Sequence, residues 1–133
     1  MPVPTPLPAH DAAPLIAALR RDGFVHAKGV LTGEEVARFR AAVDQAVARR
    51  KASDRRALAE KSLCEQSFLQ CEFLWEDFPD VAPLTFHPKI AGLSAALIGA
   101  PAVRLWHDQA LYKEAGGRET DAHQDHAYWP VTE

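Results

Sequence analysis

"AVRLWHDQALYKEAGGRETDAHQDHAYW", residues 102–129, is the stretch on which the reading of the fold turns. Its first part, "AVRLWHDQALYKE", carries the β-branched and aromatic residues of a strand, and the Ala115-Gly116-Gly117 triplet closes it as a turn. A second strand is predicted from Asp121 into "HQDHAYW". Residues two apart on a strand share a face. His123, Asp125, Ala127 and Trp129 therefore point one way, and Gln124, His126 and Tyr128 the other. The same alternation groups Leu105, His107, Gln109, Leu111 and Lys113 on the first strand. Arg104, Trp106 and Asp108 then face away, as packing or salt-bridge residues.

An imidazole and a carboxylate two residues apart on one strand can share a metal ion. With one more histidine they form the facial triad of non-haem Fe(II) oxygenases, which keeps coordination positions open. By itself the triplet is weak evidence in a chain with six histidines. Its other reading is a hydrogen-bonded surface pair.

Upstream, the pattern is helical. Asp11 is placed to cap a short helix over "AAPLIAALRR" that Gly23 ends, and "FVHAKGVL" (24–31) reads as a strand or an extended link. Thr32-Gly33-Glu34-Glu35 is a capping box. The helix after it aligns Val36, Phe39, Val43 and Val47 as one apolar stripe. The basic run at 49–56 reads as a solvated helix end or loop, not a binding patch. Residues 62–86 mix helical and extended pieces that periodicity does not separate, with Phe73 and Trp75 assigned to core or to a lid. His87-Pro88 reads as a helix entry, with Ile90, Leu93, Leu97 and Ile98 on one side and Gly99 as the stop. His10, His26 and His87 receive no chemical role.

Composition narrows the function classes. The chain has 133 residues, 47% of them hydrophobic, enough for one domain of ordinary size. Fifteen basic against eighteen acidic residues leave no basic stripe for nucleic acid and no polybasic face for an anionic membrane. The four prolines of "MPVPTPLPAHD" read as an extended arm over 1–10, not a secretory signal. No apolar run reaches the length of a membrane span. Cys64 and Cys71, seven apart, would lie about 10.5 Å from each other along a helix. That separation is too wide for a disulfide, so free thiols in a reducing cytoplasm are expected.

The stretch 103–130 resembles the corresponding segment of the phytanoyl-CoA dioxygenase family, where a strand ending in Lys, a Gly-containing turn and His-Gln-Asp before an aromatic pair recur together. "DGFVHAKGVLTGEEVARFR" (22–40) and "FHPKIAGLSAALIGAP" (86–101) look like the family's opening strand and helix and its helix before the sheet. The resemblance implies an α+β fold in which N-terminal helices brace a double-stranded β-helix, the jelly-roll or cupin-like barrel. It implies Fe(II) held by His123, Asp125 and a distal histidine, and 2-oxoglutarate as cosubstrate. It implies hydroxylation of a small molecule with O2, coupled to decarboxylation of 2-oxoglutarate to succinate. The carboxylate at Asp125 fits hydroxylation, because related halogenating enzymes carry a small residue there. His107, Gln109 and Lys113 become candidates for the 2-oxoglutarate pocket, and Trp129 for the substrate side.

The family's distal histidine and cosubstrate-binding arginine find no match up to Glu133, and His126 faces away from His123. Residues 11–133 are therefore expected to be the N-terminal part of such a domain, apparently truncated and inactive alone. The competing expectation is a binding or scaffold module, with a helical core and a short sheet completed by a partner.

Overall fold

The hydroxyl of Thr32 starts the best-marked helix of the chain. In the computed structural model, which describes residues 9–124, Thr32 Oγ1 accepts from the Glu35 amide at 3.1 Å. Glu35 Oε2 in turn accepts from the Thr32 amide at 2.8 Å. This reciprocal pair satisfies two donors that the first helical turn leaves open. It launches α2 (Gly33–Lys51), which follows α1 (Ala9–Asp22) and an extended link without a strand. Beyond α2 come a single 3-10 turn (Leu58–Glu60), α3 (Leu63–Ser67), β1 (Leu69–Glu72), α4 (Leu74–Asp77), α5 (Ala82–Thr85), α6 (Pro88–Ile98) and β2 (Gln109–Tyr112). The chain is α+β, with β1 and β2 paired in a two-stranded antiparallel sheet.

Two compact units emerge. The first comprises residues 1–53 and 71–110, the second 54–70 and 111–133. In the first unit α1 packs against α6, and α2 and α5 against α4. Its core is Ala12, Phe39, Ala46, Val47, Cys71, Leu74, Val81, Leu93 and Ala95. In the second unit α3 packs on the 3-10 turn. None of this unit's described residues is buried. Polar bonds therefore do more of the ordering there than apolar burial.

Several expectations are corrected. α1 begins at Ala9, so Asp11 lies inside its first turn and not ahead of it, and residues 9 and 10 of the supposed arm are helical. Phe39 and Val47 of the expected α2 stripe are buried, but Val36 is 50% exposed and Ala46 joins the buried side. On α6, Leu93 is buried while Ile90 and Ile98 are exposed. Gly99 does end α6, at φ 72°, the left-handed conformation glycine adopts without strain. Phe73 is exposed, with the only positive φ of a non-glycine residue among the described ones. Trp75 packs edge-on against Phe86, ring centres 4.9 Å apart.

The largest correction concerns the sheet. Only Gln109–Tyr112 of the predicted strand 102–114 is a strand, and residues 121–124 are not one. The partner of β2 is β1, from the segment whose period was ambiguous. Four residues are too few to show an alternation. Residues 102–108 form no strand, and Asp108 turns its carboxylate to another task. It accepts from the amides of Leu74 at 2.8 Å and Trp75 at 2.9 Å and from Thr85 Oγ1 at 3.2 Å. Asp108 is thus a helix cap delivered from far along the chain, not a salt-bridge residue.

Glu35 ties the start of α2 to the entry of α6. His87, 7% exposed, places Nε2 3.4 Å from Glu35 Oε1 and its ring edge-on to Phe39. Lys89 Nζ lies 3.7 Å from Glu35 Oε2. The Thr32 amide, with His87 and Lys89, holds the Glu35 carboxyl down at about 2. A carboxyl depressed from 4.5 contributes stability that is present above that value and fades as pH falls toward 2. Urea unfolding of the first unit, followed by tryptophan fluorescence, should therefore have a lower midpoint at pH 3 than at pH 7. Glu35→Gln should shrink that difference, and an undiminished difference would refute the assignment.

Candidate metal centre

Lys113 comes directly after β2, at the entry to the turn that leads toward His123. Its ammonium donates to the carbonyl of Arg118 at 2.8 Å and to Thr120 Oγ1 at 3.0 Å, and stands 6.0 Å above the Phe68 ring. The turn is closed by Gly116 at φ 79° and by the Gly117 amide on the Glu114 carbonyl at 3.0 Å. Gly117 has a steric reason to be glycine: a Cβ there would sit 3.0 Å from the carbonyl oxygens of Gln66 and Glu114.

Further tethers fix the same segment to the region around α3. The Arg118 amide donates to Gln66 O at 2.9 Å, and Ser67 Oγ to Glu119 O at 3.1 Å. Lys61 Nζ meets Glu114 Oε2 at 3.0 Å. Gln66 Nε2 donates to Lys61 O at 2.8 Å. The start of α3 has its own anchor. Arg56 binds Asp54 and Glu65 at 2.9 and 2.6 Å, and its guanidinium holds the Glu65 carboxyl at about 2.

His123 is exposed, outside any helix or strand. Its Nδ1 lies 2.8 Å from the carbonyl oxygen of Asp121. A carbonyl only accepts, so Nδ1 carries a proton, and in the neutral ring the lone pair is on Nε2. Metal-bound histidines commonly have this tautomer, with the far nitrogen bonded to a carbonyl or carboxylate. The donor chemistry of His123 therefore fits a metal ligand. Asp125 and Trp129 lie outside the described residues. Among the described residues no three His, Cys, Asp or Glu side chains cluster closely enough to hold a metal.

The other candidates separate. His107 and Gln109 belong to the first unit, whereas Lys113 and His123 belong to the second. His107 Nδ1 bonds the Asp108 carbonyl at 2.9 Å, and its ring stacks obliquely on Phe73 at 5.4 Å. Gln109 is exposed. Sequence reasoning missed His87, hidden behind its reading as a helix entry, and the tether residues Gln66, Ser67 and Thr120. Only the Gly116-Gly117 pair signalled that a close backbone approach occurs here. The cysteines are free, Cys64 exposed and Cys71 buried, and burial raises the Cys71 thiol. No described helix is long and apolar enough to cross a membrane.

No curated protein and no solved structure matches the chain. The family model described as phytanoyl-CoA dioxygenase (PhyH) matches residues 19–133, from the last turn of α1 through the His123-Gln124-Asp125 motif. With so much of its length matched, the chain belongs to the phytanoyl-CoA dioxygenase family.

Proposed function

We propose that this chain is the N-terminal portion of a non-haem Fe(II)/2-oxoglutarate-dependent dioxygenase that hydroxylates a small molecule. Its family lies in the Fe(II)/2-oxoglutarate-dependent oxygenase superfamily. The observation that carries the reading is that the family match runs through the motif containing His123 and Asp125. In this reading β1 and β2 open the sheet of a double-stranded β-helix, and residues 11–133 are one part of that domain.

His123 Nε2 and the Asp125 carboxylate would hold the metal, with a second histidine from elsewhere in the domain. Fe(II), when bound, supplies the site at which 2-oxoglutarate and O2 react, forming succinate and CO2 and leaving one oxygen atom for the substrate. The chain's own part is orientation. The Asp121 carbonyl keeps the proton on Nδ1, so Nε2 remains a lone-pair donor. In this reading the turn tethers narrow the positions that the imidazole samples. Trp129 is assigned to the substrate side, and His107 and Gln109 to the surroundings of the cosubstrate.

The test is succinate formation from 2-oxoglutarate by the full-length gene product. Turnover should require added Fe(II), and His123→Ala should reduce it to background. Undiminished succinate from the His123→Ala protein would overturn the proposal.

A further inference from the structure

We propose that Lys113 is a positioning residue for His123, acting through the backbone and not on cosubstrate. The inference rests on the oxygenase reading for its purpose but not for its geometry. Lys113 Nζ grips Arg118 O at 2.8 Å and Thr120 Oγ1 at 3.0 Å. Thr120 is joined by one peptide bond to Asp121, whose carbonyl fixes the His123 tautomer. One cation thus spans the turn and pins the residue adjoining the acceptor that orients the imidazole.

Two features make this more than an incidental surface contact. The unit holding Lys113 and His123 has no buried residue among those described, so among these residues polar bonds are what tie down 118–123. Charge-assisted bonds to Lys113 are stronger than neutral ones. They also close a ring that the Gln66–Arg118 and Ser67–Glu119 bonds secure from the other side. Two of the three N–H bonds of Nζ are directed at protein oxygens, which gives the ammonium an assignment different from a cosubstrate clamp.

The experiment reads the tautomer of His123 directly, from the ring nitrogen shifts of the 15N-labelled chain under mildly alkaline conditions. Amide exchange over 118–123 and Co(II) affinity accompany it. The parent should show the Nδ1–H form and a protected Arg118 amide. Lys113→Met should shift His123 toward the Nε2–H form of free imidazole and speed exchange over 118–123. It should also weaken Co(II) binding by at least about 10-fold, the lower end of what losing an outer-shell partner costs a metal site.

Lys113→Arg should restore the parent tautomer. Lys61→Met, which breaks only the Lys61–Glu114 pair of the same segment, should leave the tautomer unchanged. If Lys113→Met does not fold, Thr120→Val removes one acceptor alone and should shift the tautomer part of the way. Parent-like tautomer and exchange in Lys113→Met, or in Thr120→Val where that variant stands in, would overturn the proposal. An equal shift in Lys61→Met would do the same, showing a general structural effect. Absence of Co(II) binding by the parent full-length protein would count against the oxygenase reading, while tautomer and exchange would still decide the role of Lys113.

Discussion

Asp108→Ala should make the first unit about 3 kcal/mol easier to unfold, at the upper end of what hydrogen bonds to a charged group contribute. The Asp108 carboxylate receives the amides of Leu74 and Trp75, the first two of α4, and the Thr85 hydroxyl. Phe73, at the N-cap position of α4, supplies no side-chain cap and has left-handed backbone at φ 54°. Removal of Asp108 would therefore leave the Leu74 amide without its acceptor, in a residue that is only 2% exposed. An orphaned buried donor costs the full desolvation of the group, and the anion's favourable place at a helix N-terminus is lost as well. Exposed ion pairs such as Arg21–Asp22, by contrast, contribute about 0–1 kcal/mol. Asp108→Asn should recover part of the loss, since its amide oxygen accepts one N–H but its NH2 faces the second. Urea titration at neutral pH measures the effect. A loss below about 1 kcal/mol would show the bonds are replaceable by water.

What was legible in the sequence was local. The Thr32–Glu35 box lies within four residues, so its two bonds could be read off directly, and both form. Pro88 and Gly99 bracket α6 for equally local reasons, a fixed φ at the entry and a positive φ at the exit. Long-range placements were hidden. Asp108 lies 34 positions from Leu74, and nothing in its neighbours says that its carboxylate caps another helix. β1 and β2 are four residues each, too short for a period, and they pair across a segment whose elements were unresolved. The stripe on α2 was legible at Phe39 and Val47, which are buried, but not at Val36, which is exposed, or at Ala46, which is small enough to escape a count of large apolar residues yet is buried. At the site, the motif and its turn were readable from residue types. The grip of Lys113 on Arg118 and Thr120 was not, because an alternation argument aims a side chain at a face but not at a carbonyl.

In the full-length protein, His123→Ala and Asp125→Ala should each bring Fe(II)-dependent succinate formation to background, and the double variant should be no worse than either. The reason is that ligands act as a unit: once one is gone, the other has too little left to hold. Effects of residues that work together are far from additive. Each single change should also weaken Co(II) binding by more than about 100-fold, beyond the range for outer-shell partners. Folding should be spared for His123→Ala. The residue is exposed and belongs to no helix or strand, so the change should stay within about 0.5 kcal/mol. Activity lost with melting unchanged is therefore the expected signature, and it separates a ligand from a structural histidine. A Nε2 donor also makes a sharper forecast than mere sensitivity to mutation. His123→Gln, which keeps a polar group of similar reach but no imidazole lone pair, should fail as completely as alanine. If either single variant kept a tenth of the parent turnover, or if the double variant multiplied the two losses, the pair would not be sharing one ion.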